Sequence, residues 1–229
     1  MEEIKILNDL KKINLFSDIA ERDLKEIFSY FKPIKIAKKE TLFDEGDPSN
    51  WLFIVIKGKV KITKISRDGK EIILEVIYPN ELFGAVAVIN NFPYPANAVA
   101  MEATELIKIS RKDLNKLTDI YPQIMLNMTK NFSTRIKDSH ETLKNMALEK
   151  VEARIASLLL KLAEKSGTVV DNGVQINIKL TKLDIAEMVG TTVETAIRTM
   201  SKFKKEGYFG EFDGVIVIID KAGLEDISA

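Results

Sequence analysis

The stretch MVGTTVETAIRTMSKF, residues 188–203, places a glycine between two segments that both have the spacing of amphipathic helices. Gly190 is of the residue type that adopts the left-handed backbone of a tight turn at the least cost. Ala186, four residues earlier, is small enough for a second helix to cross closely. The stretch therefore predicts two helices that meet at Gly190, which is the outline of a helix-turn-helix.

The second helix of this pair is predicted to have one buried and one exposed face. Its apolar residues recur every three or four positions, as in a helix that packs on a core. The buried face comprises Ala196, Met200 and Phe203, and the exposed face comprises Thr192, Val193, Glu194, Ile197 and Arg198.

Two interpretations of Glu194 and Arg198 are open. In the first they are structural, because Thr191 and Glu194 fit an S/T-x-x-E capping box and Glu194 and Arg198 have the i,i+4 spacing of an ion pair. In the second they read DNA, because an arginine can donate two hydrogen bonds to guanine O6 and N7 and a glutamate can accept one from the cytosine N4 amine. The two interpretations are compatible, since an ion pair can orient both side chains and still face the major groove.

Charge limits how such a helix would hold DNA. The chain has 34 basic and 34 acidic residues, and this zero net charge argues against binding nucleic acid through bulk electrostatics. Within residues 191–205, however, the basic side chains outnumber the single Glu194. We expect this local surplus to support phosphate contacts. The expected phosphate contacts are Thr181, Thr191, Thr192 and Lys202.

Residues 41–110 read as a series of short strands. Val, Ile, Leu and Thr are enriched in runs such as WLFIVIKG and EIILEVIY, with glycine and asparagine between the runs. In KVKITKIS, apolar residues and lysines alternate apart from one irregular step at Thr63, which predicts one buried and one solvated face. This pattern is typical of an antiparallel sandwich or barrel. We predict an antiparallel β-roll of the jelly-roll type over residues 1–120.

A long helix is predicted over residues 121–146. Pro122 suits a first helical turn, and neither glycine nor proline interrupts the segment after it. The apolar spacing forms one continuous seam, which either packs on the β domain of its own chain or forms a coiled-coil contact with a second copy. The seam comprises Met125, Met128, Phe132, Ile136, Ser139, Leu143 and Met146.

Residues 147–229 are predicted to form a winged helix-turn-helix domain. A second amphipathic helix ends at Gly167, and the pair Asn172–Gly173 suits a type I′ hairpin turn. The two helices that meet at Gly190 are followed by a hairpin in YFGEFDGVIVIID. The predicted fold class is therefore α+β, with an N-terminal β-roll, a long helix and a C-terminal winged helix-turn-helix.

The composition excludes several classes of function. The chain has no cysteine and a single histidine, His140. Disulfides, thiolate zinc sites and cysteine-ligated iron–sulfur clusters are therefore excluded. An enzyme of the cupin type would need several ligands around a metal, which one histidine cannot supply, so we expect neither a metal site nor an enzyme. We also expect no membrane span and no secretory leader, hence a cytoplasmic protein.

These features together resemble the CRP/FNR family of bacterial transcription regulators, from about Ile13 to Leu224. LFDEGDPSNWLFIVIKGKVKI is similar to the β-roll signature of the family, and LFGAVAV is similar to its F-G-E-x-A segment. LTKLDIAEMVGTTVETAIRTMSKFKKEG is similar to its DNA-binding signature, which is the most specific of the three. A cyclic-nucleotide-type regulatory module with another output would share the β domain but lack the TVETAIR helix.

The resemblance implies that residues 121–146 form a dimerisation helix. It also implies a homodimer that binds double-stranded DNA at a two-fold site, contacts RNA polymerase and most often activates transcription. The base contacts carried over from the family are Val193, Glu194, Ile197 and Arg198. Members of the FNR-like branch carry T-V-E-T-V-S-R where this chain has TVETAIR, which implies half-sites with a TGA-like core. Ile197 stands where a serine is usual, and an apolar contact to a thymine methyl is its physical option.

The resemblance also bears on the effector. Cyclic-AMP-binding members hold the nucleotide with a Gly-Glu segment and an Arg-Ser pair, where this chain has Ala85, Tyr94 and Pro95. A buried phosphate without a cationic partner is strongly disfavoured, which argues against cyclic AMP. Haem with His140 as a ligand, a small organic effector, and no effector at all remain open. The expected effector pocket comprises Phe83, Gly84, Ala85, Val86, Phe92, Tyr94, Ser139 and His140.

Overall fold

The computed structural model describes residues 11–212 and 214–228. The chain divides into two compact units at residues 136 and 137, and this division falls within its longest helix. In the described residues, no helix has both the length and the apolar character that a membrane crossing requires.

The first unit contains the predicted antiparallel β-roll. Its strands form two sheets, of order β1-β8-β3-β6 and β2-β7-β4-β5. The strands are β1 (Lys32–Ile36), β2 (Thr41–Phe43), β3 (Trp51–Lys57), β4 (Val60–Ile65), β5 (Glu71–Ile77), β6 (Leu82–Phe83), β7 (Asn97–Ala100) and β8 (Thr104–Ser110). The helices are α1 (Glu21–Ser29), α2 (Ala85–Asn90), α3 (Arg111–Ile120) and the first part of α4 (Gln123–Leu148), after a 3-10 turn at Asn14–Phe16.

Strand β3 is buried on both faces, which explains why its sequence does not alternate between apolar and polar residues. Leu52 and Ile54 point into a core that the sheet shares with the surrounding helices. Phe53 and Val55 point into a second core between the two sheets. The first unit is therefore a layered structure in which β3 lies at the centre.

The irregular step at Thr63 lies opposite a β-bulge in the neighbouring strand. Ile62 pairs with Glu75 and Thr63 pairs with Ile73, so Leu74 of β5 is the additional residue. A bulge bends and twists the strand pair at this point. Thr63 is 1% exposed, whereas Ile65, near the end of β4, is 57% exposed.

The second unit contains the predicted winged helix-turn-helix. After the end of α4 come α5 (Val151–Ser166), β9 (Gly167–Val170), β10 (Gly173–Ile176), α6 (Lys182–Val189), α7 (Val193–Lys205), β11 (Phe209–Phe212), β12 (Val215–Ile218) and α8 (Lys221–Ser228). The strands form one antiparallel sheet of order β11-β12-β10-β9. The hairpin of β11 and β12 follows the helix pair α6 and α7 and is the wing.

The hairpin between β9 and β10 differs from the predicted one. Val170 pairs with Gly173, so the two-residue loop is Asp171–Asn172, and a type I′ turn at Asn172–Gly173 is wrong. Gly173 has another role. A Cβ at this position would lie 1.8 Å from the carbonyl oxygen of Ile218, so only glycine permits β10 to approach β12 this closely.

The predicted long helix is found as α4, and its apolar residues do not share one face. Met128 is completely buried in the core of the first unit, and Phe132 packs against the same core. Ile136 and Leu143 are 56% and 62% exposed. The seam predicted from the sequence therefore combines residues that pack on their own unit with residues that remain available to a partner.

Candidate nucleic-acid interface and effector region

Helix α6 is fixed at both ends. At its N-terminus, the backbone N–H of Asp184 donates to the Thr181 hydroxyl (3.1 Å), and the Asp184 carboxylate accepts from the Thr181 N–H (2.8 Å). At its C-terminus, Gly190 has a φ of 65°, the left-handed conformation predicted for the turn. Ala186, at the expected crossing point, is 1% exposed. The helix-turn-helix geometry predicted from the opening stretch is thus confirmed.

Helix α7 begins one residue later than the predicted capping box requires. The N-cap is Thr192, whose hydroxyl accepts a hydrogen bond from the backbone N–H of Thr195 at 3.2 Å. A capping box between Thr191 and Glu194 is therefore wrong, because the third helical position is Thr195. Glu194 consequently has no role in closing the end of the helix.

The exposed face of α7 carries the predicted base-contacting residues. Ala196, Met200 and Phe203 are at most 2% exposed, which confirms the buried stripe. The opposite face has Val193 half-buried, Ile197 46% exposed, and Glu194 and Arg198 exposed.

Neither structural interpretation of Glu194 and Arg198 holds. In residues 11–212 and 214–228, neither side chain has a hydrogen-bond or ion-pair partner, and the two do not pair with each other. An acceptor and a bidentate donor thus lie one helical turn apart on an exposed surface. Both groups are free to bind an external partner.

The four expected phosphate contacts fall into two pairs. The hydroxyls of Thr181 and Thr192 serve as helix caps and also donate to Asp184 (2.7 Å) and to the Thr195 hydroxyl (3.0 Å). Lys202 is exposed at the other end of α7, and the hydroxyl of Thr191 has no hydrogen bond in the part of the chain that the structure describes. Thr191 and Lys202 therefore retain the donors that a phosphate needs.

A three-residue ion cluster connects the wing to the helix pair, and nothing in the sequence indicated it. Glu211 on β11 lies 3.3 Å from Lys182 on α6 and 3.9 Å from Lys204 on α7. The cluster holds the wing against both helices. It also neutralises an acidic side chain on a surface that is otherwise rich in lysine. Lys182 and Glu211 are 29 positions apart in the sequence, so no local sequence pattern indicates their contact.

Two residues of the expected effector pocket lie in the core between the sheets. Phe83 and Tyr94 are 1% and 4% exposed and pack with other aromatic rings. Tyr94 stacks on Phe43 with ring centroids 3.7 Å apart, and its hydroxyl donates to the carbonyl oxygen of Trp51 at 2.5 Å. Burial raises the pKa of the Tyr94 phenol. This part of the β-roll interior is filled by the chain's own side chains.

The remaining residues of the expected pocket do not join this cluster. Ala85 is buried in the other core, with the helices, while Val86 and Phe92 are 48% and 38% exposed. Gly84 precedes α2, and a Cβ at this position would lie 3.2 Å from the ring of Tyr94. Ser139 and His140 belong to the second unit and are exposed. A haem ligand is expected to lie in an apolar pocket, and the exposure of His140 does not fit that role.

The chain matches two domain families. Residues 33–121 match the cyclic nucleotide-binding domain, and residues 153–227 match the Crp-like helix-turn-helix domain. These two ranges coincide with the β-roll and with the domain that contains α6, α7 and the wing.

Relatives match over nearly the full length of the chain. The CRP-like cAMP-activated global transcriptional regulator of Mycobacterium tuberculosis is 25% identical over 210 residues, covering 92% of this chain and 93% of that protein. The cyclic AMP receptor protein of Thermus thermophilus is 27% identical over 219 residues, covering 96% and 98%. The structure of FixK2 from Bradyrhizobium japonicum has the same fold, with a TM-score of 0.78 at 20% identity over 87% of this chain and 98% of that one. The chain is therefore a member of the CRP/FNR family of DNA-binding transcription regulators.

Proposed function

We propose that this regulator binds a two-fold DNA site as a homodimer, with one α7 helix in the major groove of each half-site. The main support for the proposal is the exposure of Glu194 and Arg198. They lie one helical turn apart on α7, and neither side chain has a partner among the described residues. On this basis Arg198 contacts the guanine and Glu194 the cytosine amine of a TGA-like core. Activation through contact with RNA polymerase is part of the proposal by analogy with the family.

Ile197 lies between these two polar side chains on the same exposed face. The sec-butyl side chain of isoleucine offers no hydrogen bond to a base edge, but it can pack against the methyl group of thymine. We therefore propose that Ile197 selects a thymine next to the core through an apolar contact. Val193, half-buried at the start of the helix, has less surface to offer and serves mainly to exclude water.

The proposed base readout is tested by replacing Arg198 with alanine. The variant should lose preference for the core guanine at a cost of about 1–3 kcal/mol, because a bidentate contact is removed. The measurement is competition binding of the specific and the scrambled duplex at one fixed salt concentration.

Lys202→Ala is the matched control for this experiment. A lysine that binds phosphate carries no sequence information, so its loss should weaken binding to both duplexes equally and reduce the salt dependence. If Arg198→Ala discriminated between the duplexes as well as the wild type, Arg198 would not read the site.

We further propose that the effector, if the protein has one, is not a cyclic nucleotide. Two relatives carry cyclic AMP in their names. In this chain Ala85 and Tyr94 stand where cyclic-AMP-binding members of the family have an acidic and a basic group, and Phe83 and Tyr94 are packed into a core. A phosphate placed there would be buried without a cation, which is strongly unfavourable. Haem gains no support either, because His140 is exposed.

A further inference from the structure

The exposed face of α4 follows a heptad repeat. Over residues 126–147, exposed residues lie three and four positions apart in strict alternation. Ile136 and Leu143 on this face are 56% and 62% exposed. Such spacing is the a/d pattern of a coiled coil, in which each a or d side chain packs between four side chains of a facing helix. In heptad order the residues are Leu126 (a), Thr129 (d), Ser133 (a), Ile136 (d), His140 (a), Leu143 (d) and Ala147 (a).

The residues that flank this face favour two parallel helices. In the homodimer proposed above, the partner of the face is a second copy of α4. The e positions are all lysines and the g positions are all uncharged. Two antiparallel copies bring e residues against e residues, so lysines would face lysines and repel each other. Two parallel copies bring e residues against g residues, so like charges do not meet. The e residues are Lys130, Lys137 and Lys144, and the g residues are Phe132, Ser139 and Met146.

In a parallel pair, His140 lies opposite the same residue of the second copy. Each a residue of such a pair faces its own counterpart, because the two helices have the same register. The side chains of the second copy that surround His140 are Ile136, Ser139, His140 and Leu143. These four side chains include no carboxylate. The facing helix therefore offers His140 another imidazole and no counter-ion.

The charged side chains near His140 on its own helix do not offer a counter-ion either. Glu141 lies 3.1 Å from Lys144, and Asp138 lies 3.7 Å from a lysine of α5. Both carboxylates are therefore engaged by lysines. The charged residues one helical turn before and after His140 are Lys137 and Lys144, which are cations. A positive charge on His140 is thus not compensated within the contact.

We propose that the two His140 side chains form a pH-sensitive contact between two copies of this chain. The inference rests on the proposed homodimer and names a way in which that dimer is regulated. A neutral imidazole has one donor and one acceptor nitrogen, so two facing imidazoles can share one N–H···N hydrogen bond. The Ile136 and Leu143 layers lie on either side and shield this bond from water. A single polar pair in an a layer also fixes the register of two helices, although it lowers the stability of the dimer.

Acid pH reverses the effect of this contact. Histidine is the side chain whose charge ordinarily changes between about pH 5 and 8. When both imidazoles are protonated, every ring nitrogen is a donor and none accepts a hydrogen bond. The dimer then buries two positive charges between apolar layers, which is unfavourable. In the monomer His140 is exposed to water. Protonation therefore favours the monomer, and both the dimer and its binding to a two-fold DNA site weaken as the pH falls.

The test is sedimentation equilibrium of the full chain at about pH 8 and at about pH 5.5, with a metal chelator present. We expect the dissociation constant of the wild-type dimer to rise by about tenfold or more at the lower pH, because two like charges are brought together. The chain has one histidine, so no second histidine titrates in this range.

Two variants of His140 are the controls. His140→Asn keeps a polar residue at the a position and removes the titration, so its dissociation constant should be the same at both pH values. His140→Leu makes the layer apolar, so it should dimerise more tightly than the wild type and also without pH dependence. Neither substitution is expected to unfold the monomer, because position 140 is exposed.

The outcomes separate this inference from the homodimer on which it rests. A wild-type dimer with equal dissociation constants at both pH values would overturn the inference and leave the homodimer intact. Equal pH dependence in the wild type and in His140→Asn would also overturn it, since another group would then titrate. A chain that stays monomeric at both pH values would contradict the homodimer itself. A pH dependence that appears only when zinc replaces the chelator would indicate a metal bridge instead of a hydrogen bond.

Discussion

At the scale of single residues, Tyr94 shows how the β-roll interior is held together. Its ring stacks on Phe43, its hydroxyl donates to the Trp51 carbonyl, and the Trp51 N–H donates back to that hydroxyl at 3.2 Å. Burial raises the pKa of the Tyr94 phenol above its usual 10.0, against the opposing effects of the Trp51 backbone N–H and the Arg111 charge. The folded state therefore favours the neutral phenol more strongly than the unfolded state does.

Tyr94→Phe keeps the stacking and removes the hydroxyl. We expect it to lower the free energy of unfolding by about 0.5–1.5 kcal/mol near neutral pH, the net value of a hydrogen bond. The wild type should also lose stability as the pH rises above about 10, because the unfolded phenol ionises first, and the loss should continue up to the raised pKa of the folded state. Denaturant unfolding at neutral and alkaline pH measures both effects.

Tyr94→Phe has no phenol to ionise, so it should not show the loss of stability that ionisation of Tyr94 causes in the wild type at alkaline pH. The difference in stability between wild type and Tyr94→Phe should therefore shrink as the pH rises. A difference that stays constant with pH would contradict a role of phenol ionisation in this core.

Other residues show what the sequence could and could not indicate. The exposure of Glu194 and Arg198 follows from helical periodicity, which is a local property. The choice between Thr191 and Thr192 as the helix cap depends on the backbone after Gly190, so the pattern S/T-x-x-E was misleading. The Nζ atoms of Lys32 and Lys108 lie 5.5 Å and 4.3 Å from the centroid of the Trp51 ring. These contacts depend on strand register, which one sequence does not specify.

At the scale of elements, α4 presents an exposed face that differs from the predicted seam by a small rotation. Thr129 and Ser133 on this face each donate their hydroxyl to a carbonyl four residues earlier, at 2.9 Å, so their polar groups are satisfied within the helix. Such small residues permit close approach of a second helix. The exposed residues at three- and four-residue spacing are Leu126, Thr129, Ser133, Ile136, His140, Leu143 and Ala147. We propose that this face forms the homodimer contact.

Two substitutions in α4 separate dimerisation from folding. Leu143→Glu should leave the monomer folded, because the side chain is 62% exposed, but it should raise the dimer dissociation constant by about tenfold or more by burying a charge in the contact. Met128→Ala should instead destabilise the first unit by about 2–5 kcal/mol, because it creates a cavity in a closed core. Sedimentation equilibrium and denaturant unfolding distinguish the two effects.

If Leu143→Glu dimerised as tightly as the wild type, the contact would lie elsewhere on the chain. A Met128→Ala variant that lost dimerisation without losing stability would instead favour the seam predicted from the sequence.

The order of the elements was predictable, and several of their details were not. Strands β3, β4, β5, β7 and β8 and the helices α4 to α7 follow from period-two and period-3.6 patterns, because burial imposes them locally. The short helix α2 could not be predicted from these patterns, since its alanines and valines also fit a strand. The two faces of α4 could not be separated either, because a helix that packs on its own core and on a partner is apolar almost all round.

At the scale of the whole molecule, the proposed dimer would present two α7 helices to one duplex. Two recognition helices related by a two-fold axis contact half-sites about 10–10.5 base pairs apart. Effector control in such a dimer requires a coupling free energy between the effector and DNA sites, typically 1–3 kcal/mol. A ligand that cannot enter the β-roll cannot supply this coupling.

We therefore expect cyclic AMP to leave the DNA affinity of the purified protein unchanged, within about twofold, because Phe43, Phe53, Phe83 and Tyr94 fill the space between the sheets. Titration calorimetry should show no saturable heat with cyclic AMP, and haem titration should show no Soret band that depends on His140. A cyclic-AMP-dependent gain of about fivefold or more, the lower end of ordinary coupling, would mean that the aromatic cluster opens to admit the nucleotide. In that case Tyr94→Leu, which loosens the cluster, should increase cyclic AMP affinity, whereas Tyr208→Leu in the other unit should not.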